Sequence, residues 1–333
     1  MGAGPGCPRR AMRRTHTSLL VLSLVLSSRL AAGSPPLSDR PPSWAYPVNP
    51  PGLMEPADDG RALQVPNSKA RFTLTQIRDL YFCPDWHPLD HPAMPEIVAR
   101  GRKPTVLACG SCHRADGSGG PENARLAGLP AVYIAQQLAD FKSGARSTSV
   151  PGRNPTWMVA IASAITSQEI EAAAAYFSSL KPRPAIRVVE AVTAPKTRVT
   201  DWHLAVASTP GTEPLGRRII EVPENLERVE RRDGRSRWIA YVPKGSVHRG
   251  RELAMSGGNK TITCSICHGP RLMGLGPIPG IAGRSPSYVI RQLYDFRAGK
   301  RAGAWSGLMK PVVAKLTMDD AISLAAYVAS LSP

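Results

Sequence analysis

Two stretches of the chain place apolar side chains at the same intervals. The spacing i, i+4, i+7 occurs in both, at Ile134, Leu138 and Phe141 and at Val289, Leu293 and Phe296. Residues three or four apart share one face of an α-helix, so each stretch predicts an amphipathic helix. A second helix is predicted further along in each stretch. It starts after a capping signal, Thr166-x-x-Glu169 or Thr317-x-x-Asp320, and runs through alanine-rich turns to Leu180 or Leu331.

The two stretches are copies of one unit. At an offset of 155 residues the second stretch reproduces the first without a gap, and the matched pairs are His113/His268, Tyr133/Tyr288, Gln137/Gln292, Leu138/Leu293, Phe141/Phe296, Gly144/Gly299 and Arg146/Arg301. Downstream the offset becomes 151, and the matched pairs are Met158/Met309, Thr166/Thr317, Tyr176/Tyr327 and Leu180/Leu331. Such self-similarity indicates a duplicated domain. Each copy is expected to have a glycine-rich loop before its first helix and a methionine-bearing loop before its last.

The amino terminus has the pattern of a secretory signal peptide over residues 1–33. Arg9, Arg10, Arg13 and Arg14 precede an apolar run from Leu19 to Leu26, and small residues follow at 31–33. The alternative is an uncleaved anchor, which the shortness of the run disfavours because a bilayer span needs about 20 apolar residues. The paired arginines also fit a twin-arginine signal, but nothing around them supports it.

The chain is strongly basic, with a formal net charge of +17 that becomes +12 once the five arginines of residues 1–33 are removed. The basic residues are scattered and no aromatic residues alternate with them, so nucleic acid is the least favoured partner. An acidic redox partner or an anionic membrane surface fits better. A generally basic exported protein remains the plainest interpretation.

Four of the six cysteines stand in two copies of one motif. The first is Cys109-Gly110-Ser111-Cys112-His113 and the second is Cys264-Ser265-Ile266-Cys267-His268. The C-x-x-C-H pattern is typical of covalent c-type haem attachment, in which two thiols add to the haem vinyl groups and the histidine becomes the proximal iron ligand. A zinc or redox C-x-x-C pair is the alternative for a single motif, but two copies in matching flanks make it improbable. A disulfide framework fits poorly because the pairs are so local.

The second axial ligand of each haem iron is predicted to be a methionine. Met158 and Met309 match each other at the same place in both copies, and a thioether sulfur is an accepted partner of haem iron. The alternative is that both fill gaps in the core. Met94 and Met273 also lie near the motifs, but neither has a repeat partner.

Both copies resemble the class I cytochrome c domain, and the tandem is similar to the two-domain dihaem cytochromes c of the c-four type. The resemblance rests on the two C-x-x-C-H motifs, the Leu126-Ala127-Gly128 and Ile281-Ala282-Gly283 loops, the Tyr-Ile/Val-x-x-Gln-Leu-x-x-Phe helices, the methionine segments and the Ala-Ala-Tyr closing helices. It covers roughly residues 94–182 and 247–332. It implies a mainly α-helical fold, two covalent haem c groups, His/Met ligation, an exported location, and electron transfer to a terminal oxidase or from a dehydrogenase.

Three features depart from this family. Its usual proline, whose carbonyl accepts the proximal histidine N–H, is present as Pro279, whereas copy one has Ala124. Residues 34–93 form a proline-rich extension, of which 34–70 read as extended and poorly ordered. A long linker, residues 183–246, separates the cytochrome c domains at 94–182 and 247–333. Its β-rich runs at 185–192, 217–222 and 237–242, with Asp233-Gly234 as a turn, predict a small β-hairpin.

Residues 81–95 are dense in groups that could bind metal. Cys83, His87 and His91 recur every four residues, but the intervening prolines exclude a regular helix. We expect an ordered loop that packs on the first haem domain; a metal or axial-ligand role is the alternative. His203 and His248 are expected at the surface.

The sequence therefore predicts a periplasmic dihaem cytochrome with no catalytic residue, for which association with a membrane surface is left open. It would carry single electrons from a dehydrogenase or quinol-oxidising complex to a terminal acceptor, or serve as a redox subunit, with the haem supplying the chemistry. The alternative is a haem enzyme, peroxidase-like or thiosulfate-oxidising, with one haem that lacks methionine. Cys83 keeps that alternative open, and the matched methionines argue against it. Nothing favours a structural role with redox-inert haems.

Overall fold

A computed structural model of the chain describes residues 1–4, 6, 37, 40–54, 56–150 and 155–333. The predicted signal peptide lies outside the described residues, except for its first few positions. The elements below belong to the compact unit Ser34–Pro333. Its helices are α1 Leu74–Arg78, α2 Glu96–Ala99, α3 Cys109–His113, α4 Ala131–Lys142, α5 Pro155–Ala164, α6 Ser167–Ser179, α7 Leu226–Glu230, α8 Ser246–Ser256, α9 Cys264–His268, α10 Pro286–Arg297, α11 Met309–Val313 and α12 Met318–Ser330.

The described residues also contain nine short strands. They are β1 Ile186–Ala191, β2 Thr193–Pro195, β3 Thr197–Thr200, β4 His203–Val206, β5 Thr212–Pro214, β6 Ile220–Pro223, β7 Trp238–Pro243, β8 Gly274–Leu275 and β9 Ile278–Pro279. In the largest sheet, β7 lies between β1, to which it is parallel, and β6, to which it is antiparallel. Three antiparallel pairs, β2–β5, β3–β4 and β8–β9, complete the strands.

The helices predicted from the apolar spacing are confirmed. α4 and α10 bury Leu138 and Leu293 in their respective cores. α6 and α12 both begin with a complete capping box, in which the side chain of Thr166 or Thr317 accepts a hydrogen bond from the backbone N–H three residues later and the acidic residue there bonds back. The same capping device therefore starts the closing helix of both copies.

The two copies differ in how they begin. Copy two opens with the eleven-residue helix α8, whose Gly250 lies directly against α12. A Cβ at this position would lie 1.9 Å from the Ser323 carbonyl oxygen, so only glycine allows this close crossing. Copy one has only the single turn α2 in the corresponding region. Residues 80–83 run beside it instead, where the Cys83 N–H donates to the Ala99 carbonyl at 2.8 Å.

The expectation of a poorly ordered leader is wrong for the described residues of the extension. Ala45 and Tyr46 are buried in the core of copy two, and Leu37 donates its N–H to the Leu316 carbonyl at 2.8 Å. Further along, Trp86 packs with Val65 in a separate small cluster. The extension is poor in helix, but part of its apolar surface is buried against the rest of the molecule, whereas Val48, Met54 and Leu89 remain exposed.

The linker strands lie close to the predicted runs, and β6 and β7 pair antiparallel, but Asp233-Gly234 lies in a longer connection and not in a tight two-residue hairpin. Helix α7 separates β6 from β7, and Asp233 follows that helix. Its carboxylate is fully buried and anchors two side chains, His87 Nε2 at 3.0 Å and Arg228 Nε at 2.7 Å. Asp233 therefore ties the linker to the extension. The tight hairpin of the linker is β3–β4, which turns at Asp201 and Trp202.

Candidate functional site

Each C-x-x-C-H motif forms one helical turn on the wall of a cavity. α3 and α9 consist of the five motif residues alone, and both end where the next residue, Arg114 or Gly269, takes a positive φ. The first cavity, about 210 Å³, is lined by Cys109, Cys112, His113 and Met158. The second, about 430 Å³, is lined by Cys264, Cys267, His268 and Met309. All eight residues that the sequence singled out thus converge in two matched cavities.

The two motif histidines have equivalent hydrogen-bond partners, in each copy the backbone carbonyl eleven residues further along the chain. His113 Nδ1 lies 2.8 Å from the Ala124 carbonyl oxygen, and His268 Nδ1 lies 2.8 Å from the Pro279 carbonyl oxygen. The absence of proline in copy one therefore does not remove this contact. Burial lowers the pKa of both histidines, against the opposing effect of these bonds. Each imidazole is held neutral with Nε2 available, the form that binds iron.

The prediction that the methionines lie in loops is wrong. Met158 is inside helix α5, and Met309 is the first residue of helix α11. Both side chains nevertheless line their cavities together with the motif histidine. Met94 and Met273, the two candidates without repeat partners, are not among the described residues that line either cavity.

The cavities adjoin the interface between the copies, which is built from repeat-matched residues. Arg146 donates to Gln137 Oε1 at 2.9 Å and to Gln292 Oε1 at 3.1 Å. Arg301 donates to the same two oxygens, at 2.9 Å and 3.2 Å. Tyr288 and Tyr133 accept one further bond each from Arg146 and Arg301 respectively. The repeat pairs found in the sequence thus form a crossed network between the copies, a role that a single sequence does not reveal.

Two buried arginines near the cavities break the repeat symmetry. Arg284, whose repeat partner is Leu129, lines both cavities and donates to the Arg125 carbonyl oxygen at 3.2 Å. Burial and the nearby Arg284 charge lower the pKa of Arg125 to about 10. Among the described residues, no carboxylate lies within ion-pair distance of either guanidinium. Uncompensated buried cations are costly, so the Arg284 side chain, which lines both cavities, fits a cofactor that supplies carboxylates, as haem does.

The extension and the linker contribute a wall to the first cavity that the second lacks. Trp44 and Tyr46 come from the extension, and Trp202 and His203 come from the β3–β4 turn. Asp201 and Trp202 both have positive φ, at 41° and 65°, which is strained for side chains other than glycine. This strained turn places Trp202 at the first cavity.

The surface position predicted for His203 is wrong, whereas His248 is exposed as expected. His203 is fully buried because its ring packs edge-on against Trp238 at 5.4 Å. Its Nδ1 lies 3.1 Å from the Asp201 carbonyl oxygen, and its Nε2 has no hydrogen-bond partner among the described residues. A buried nitrogen in the wall of the first cavity without a partner fits a polar group of the cofactor.

Residues 81–95 form the predicted ordered loop on copy one. Tyr176 Oη donates to the Ala115 carbonyl at 2.6 Å and contacts His91 Nδ1 at 3.0 Å, which ties the loop to α6. Cys83 is buried beneath Gly110, and burial raises the pKa of its thiol to about 12. It is not among the described residues lining either cavity, and no group of three or more metal-binding side chains occurs in the part of the chain that the structure describes.

Known proteins resemble this chain in both its domain type and its duplication. The cytochrome c family model matches residues 98–181. The "Thiosulfate dehydrogenase electron acceptor" of Stutzerimonas stutzeri is 29% identical over 69% of this chain and 82% of its own length. "Cytochrome c4" of Azotobacter vinelandii is 25% identical over 73% of this chain and 92% of its own length. "Cytochrome c-554(548)" of Halomonas halodenitrificans is 37% identical over 23% of this chain and 94% of its own length.

Proposed function

The chain belongs to the cytochrome c family as a dihaem electron carrier, and from this premise we propose that it is an exported shuttle. It would accept single electrons from a periplasmic dehydrogenase or quinol-oxidising complex and pass them to a terminal acceptor. The observation that carries this proposal is the pair of matched cavities, each lined by a complete C-x-x-C-H motif and a methionine. Two covalently bound haem c groups supply the one-electron chemistry when bound.

We propose the same set of roles in both copies. Cys109 and Cys112, and likewise Cys264 and Cys267, hold the haem through thioether bonds. His113 and His268 would bind the haem iron through nitrogen, and Met158 and Met309 would bind it through sulfur. An iron with both axial positions filled exchanges electrons without binding substrates, which suits a carrier.

The proposed domain division follows the repeat. Residues 1–33 are the signal peptide, 34–93 an extension, 94–182 the first cytochrome c domain, 183–246 the linker and 247–333 the second domain. Separate apolar cores within the two copies support it, one containing Phe177 and the other Tyr294. In the described part of the chain, no helix combines the length and apolar character that a bilayer crossing requires. We infer a periplasmic location. The positive charge would also allow the protein to bind an anionic membrane surface.

The proposed donor is a dehydrogenase with an acidic docking surface. Relatives named as the electron acceptor of thiosulfate dehydrogenase and as the cytochrome subunit of sulfide dehydrogenase support a dehydrogenase. The net charge of +12 that remains without residues 1–33 supports carboxylates on its contact surface. An enzyme with a cysteine-ligated haem gains no support, because Cys83 packs beneath Gly110 and does not line the first cavity.

The test is spectroscopy of the mature, oxidised holoprotein with two covalent haems confirmed by mass. We expect both irons to be low-spin, with the methionine-to-ferric charge-transfer band, and to bind cyanide slowly. Met158→Leu and Met309→Leu should each remove half of that band, whereas Met94→Leu and Met273→Leu serve as matched controls and should retain it. A high-spin iron in the wild type, or an intact band in both Met158→Leu and Met309→Leu, would contradict the assigned ligands.

A further inference from the structure

The attachment motif of copy two is open to solvent, whereas that of copy one is covered. Ile266, between the two cysteines of the second motif, is 66% exposed, while its repeat partner Ser111 is 1% exposed. Just before the second motif Ile262 is 42% exposed, while its partner Leu107 is 7% exposed. Two apolar side chains in or beside the second motif therefore face solvent where their counterparts are buried, and Ile262 also lines the second cavity.

Further apolar side chains surround the mouth of the second cavity. Trp305, Leu308 and Val132 line it and are 62%, 58% and 62% exposed. Ser287, the repeat partner of Val132, is 8% exposed. Trp157, the repeat partner of Leu308, is 57% exposed and so does not differ from Leu308. We call Val132, Ile262, Ile266, Trp305 and Leu308 the port surface. Contiguous exposed apolar groups of this kind mark interaction sites.

The backbone at Trp305 strengthens this interpretation. Trp305 has a φ of 70°, a conformation that is strained for a bulky side chain. The Trp305 side chain is nevertheless 62% exposed. Aromatic side chains are enriched at protein interfaces, where they lose little conformational entropy on binding.

Segments outside the repeat are what cover copy one. Residues 80–83 lie along its motif, because the Ala108 N–H donates to the Leu80 carbonyl at 3.0 Å and the Cys83 N–H to the Ala99 carbonyl at 2.8 Å. The linker also covers Ser287, a residue of copy two that lines the first cavity, because the Ser287 N–H donates to Glu221 at 3.3 Å. The extension and the linker also wall the first cavity. The extension and the linker therefore occupy the surface that a partner protein would contact at the first cavity.

Charge around the port surface specifies the chemistry of the partner. Residues 247–333 contain eleven Lys and Arg but only four Asp and Glu. Of these acids, Asp295 is buried, Asp319 and Asp320 pair with Arg217 and Lys260, and Glu252 lies 3.8 Å from His248. Exposed Lys310 and Lys315 follow Leu308 in the sequence, at the second and seventh residues after it. An apolar contact area beside exposed lysines is complementary to an apolar area bordered by carboxylates.

We propose that the port surface docks an acid-rimmed redox protein and that electrons enter and leave the protein through the second copy, with the first copy exchanging electrons only across the internal interface. The inference rests on the proposed carrier function and gives it a direction. In each encounter the partner loses one electron and one ferric haem becomes ferrous, with no bond formed or broken.

The test uses flavodoxin hydroquinone, an acidic one-electron donor, and the oxidised holoprotein at low ionic strength in a stopped-flow instrument. Ile266→Ser gives copy two the residue that copy one has, and Lys310→Glu reverses a charge beside Leu308. Each is expected to lower the second-order rate constant at least fivefold. Leu89→Ser and Lys142→Glu alter an exposed leucine and an exposed lysine outside the port surface and should stay within twofold of wild type.

Haem content and visible spectra verify that each variant is loaded and folded. The port assignment is overturned if wild type is reduced rapidly and the port variants are equally fast, or if the controls slow the reaction as much. If the haem-loaded wild type were not reversibly reduced by flavodoxin or by dithionite, the carrier function itself would be rejected. A second measurement, line broadening of haem methyl resonances by the paramagnetic anion hexacyanochromate, should affect the second haem first. Equal broadening of both haems would contradict the port.

Discussion

Arg146 and Arg301 lie opposite each other in an antiparallel bridge, although 155 residues of chain separate them. Each guanidinium also stacks on the phenylalanine of its own copy, Arg146 at 4.5 Å from the Phe141 ring centroid and Arg301 at 4.2 Å from that of Phe296. The duplication therefore placed one residue at two equivalent positions, and the fold brought both to the same point. The interface is symmetric because its parts were copied with the domain.

Arg146→Met should loosen the contact between the copies. The substitution keeps the apolar stem but removes the buried bonds to Gln137 and Gln292. Hydrogen bonds to charged groups contribute roughly 1.5–3 kcal/mol, so we expect the free energy of unfolding of the holoprotein to fall by about 2–4 kcal/mol. Guanidinium titration measures it. Arg271→Met, at an exposed arginine of copy two, should change it by less than about 0.5 kcal/mol.

Arg146 and Arg301 should also behave as a coupled pair. Both donate to the same glutamine oxygens, so removal of one arginine leaves those oxygens partly satisfied by the other. In a double-mutant cycle with Arg301→Met, the loss in the double variant should differ from the sum of the single losses by about 0.5–3 kcal/mol. Simple additivity would mean that the two arginines act independently.

Arg284→Gln should lower the reduction potentials of both haems. Arg284 is a buried cation that lines both cavities, and a nearby positive charge favours ferrous over ferric iron. A unit charge at an effective dielectric constant near 20 changes the energy of a group some 10–15 Å away by roughly 1–2 kcal/mol, or about 40–80 mV for one electron. Spectroelectrochemical titration measures the potentials. Arg271→Gln is the exposed control, and an equal shift there would show that general charge, not Arg284, sets the potential.

The sequence predicted the site better than its surroundings, for a physical reason. Cys109, His113 and their counterparts are required by local covalent chemistry, and the helices beside them carry short-range signals such as the Thr166 capping box. The burial of His203 depends on its contact with Trp238, which is 35 residues away and outside the repeat. Such long-range contacts leave no periodic pattern in a single sequence.

The position of the methionines shows the same limit on a smaller scale. The repeat matched Met158 with Met309, and both line their cavities, but the loops predicted for them are helices α5 and α11. Likewise the matched tyrosines, glutamines and arginines were visible as a pattern, but the pattern alone did not say that they face each other. Repeats identify equivalent residues, and only the fold assigns their partners.

Gly110→Ala should impair haem attachment in copy one alone. A Cβ at position 110 would lie 2.6 Å from Cys83 Sγ and 2.8 Å from the Val98 carbonyl oxygen, so the motif helix would have to shift. We expect mass spectrometry of the exported protein to find a large fraction with one haem. Ser265→Ala changes the equivalent position of copy two, where a side chain is already present, and should leave two haems bound.

The contact with Cys83 can be separated from the contact with the backbone. Cys83→Ala shortens the side chain that packs against Gly110 but leaves the Val98 carbonyl in place. Gly110→Ala combined with Cys83→Ala should therefore recover only part of the lost attachment. Full recovery would show that Cys83 alone sets the spacing, and normal attachment in Gly110→Ala would contradict the close packing.

Glu221→Gln should change how the stability of the holoprotein depends on pH. Burial raises the pKa of Glu221 above its ordinary value of 4.5, although bonds from Ser285 and Ser287 oppose the shift. The folded protein then holds this proton more tightly than the unfolded chain does. Stability contributed by this carboxyl is therefore present below pH 4.5 and is lost as the pH rises through the folded pKa.

The variant removes this titration and retains the geometry. The glutamine oxygen can still accept from Ser285 at the position of Oε2, while its NH₂ group replaces Oε1, which has no partner among the described residues. Denaturant titrations at pH 4 and pH 8 should find wild type and Glu221→Gln similar in acid and the variant more stable in base. Glu171→Gln, at an exposed glutamate of copy one, should run parallel to wild type at both pH values. If Glu221→Gln also ran parallel to wild type, the pKa of Glu221 would be the same in the folded protein and in the unfolded chain, which would contradict the rise that burial causes.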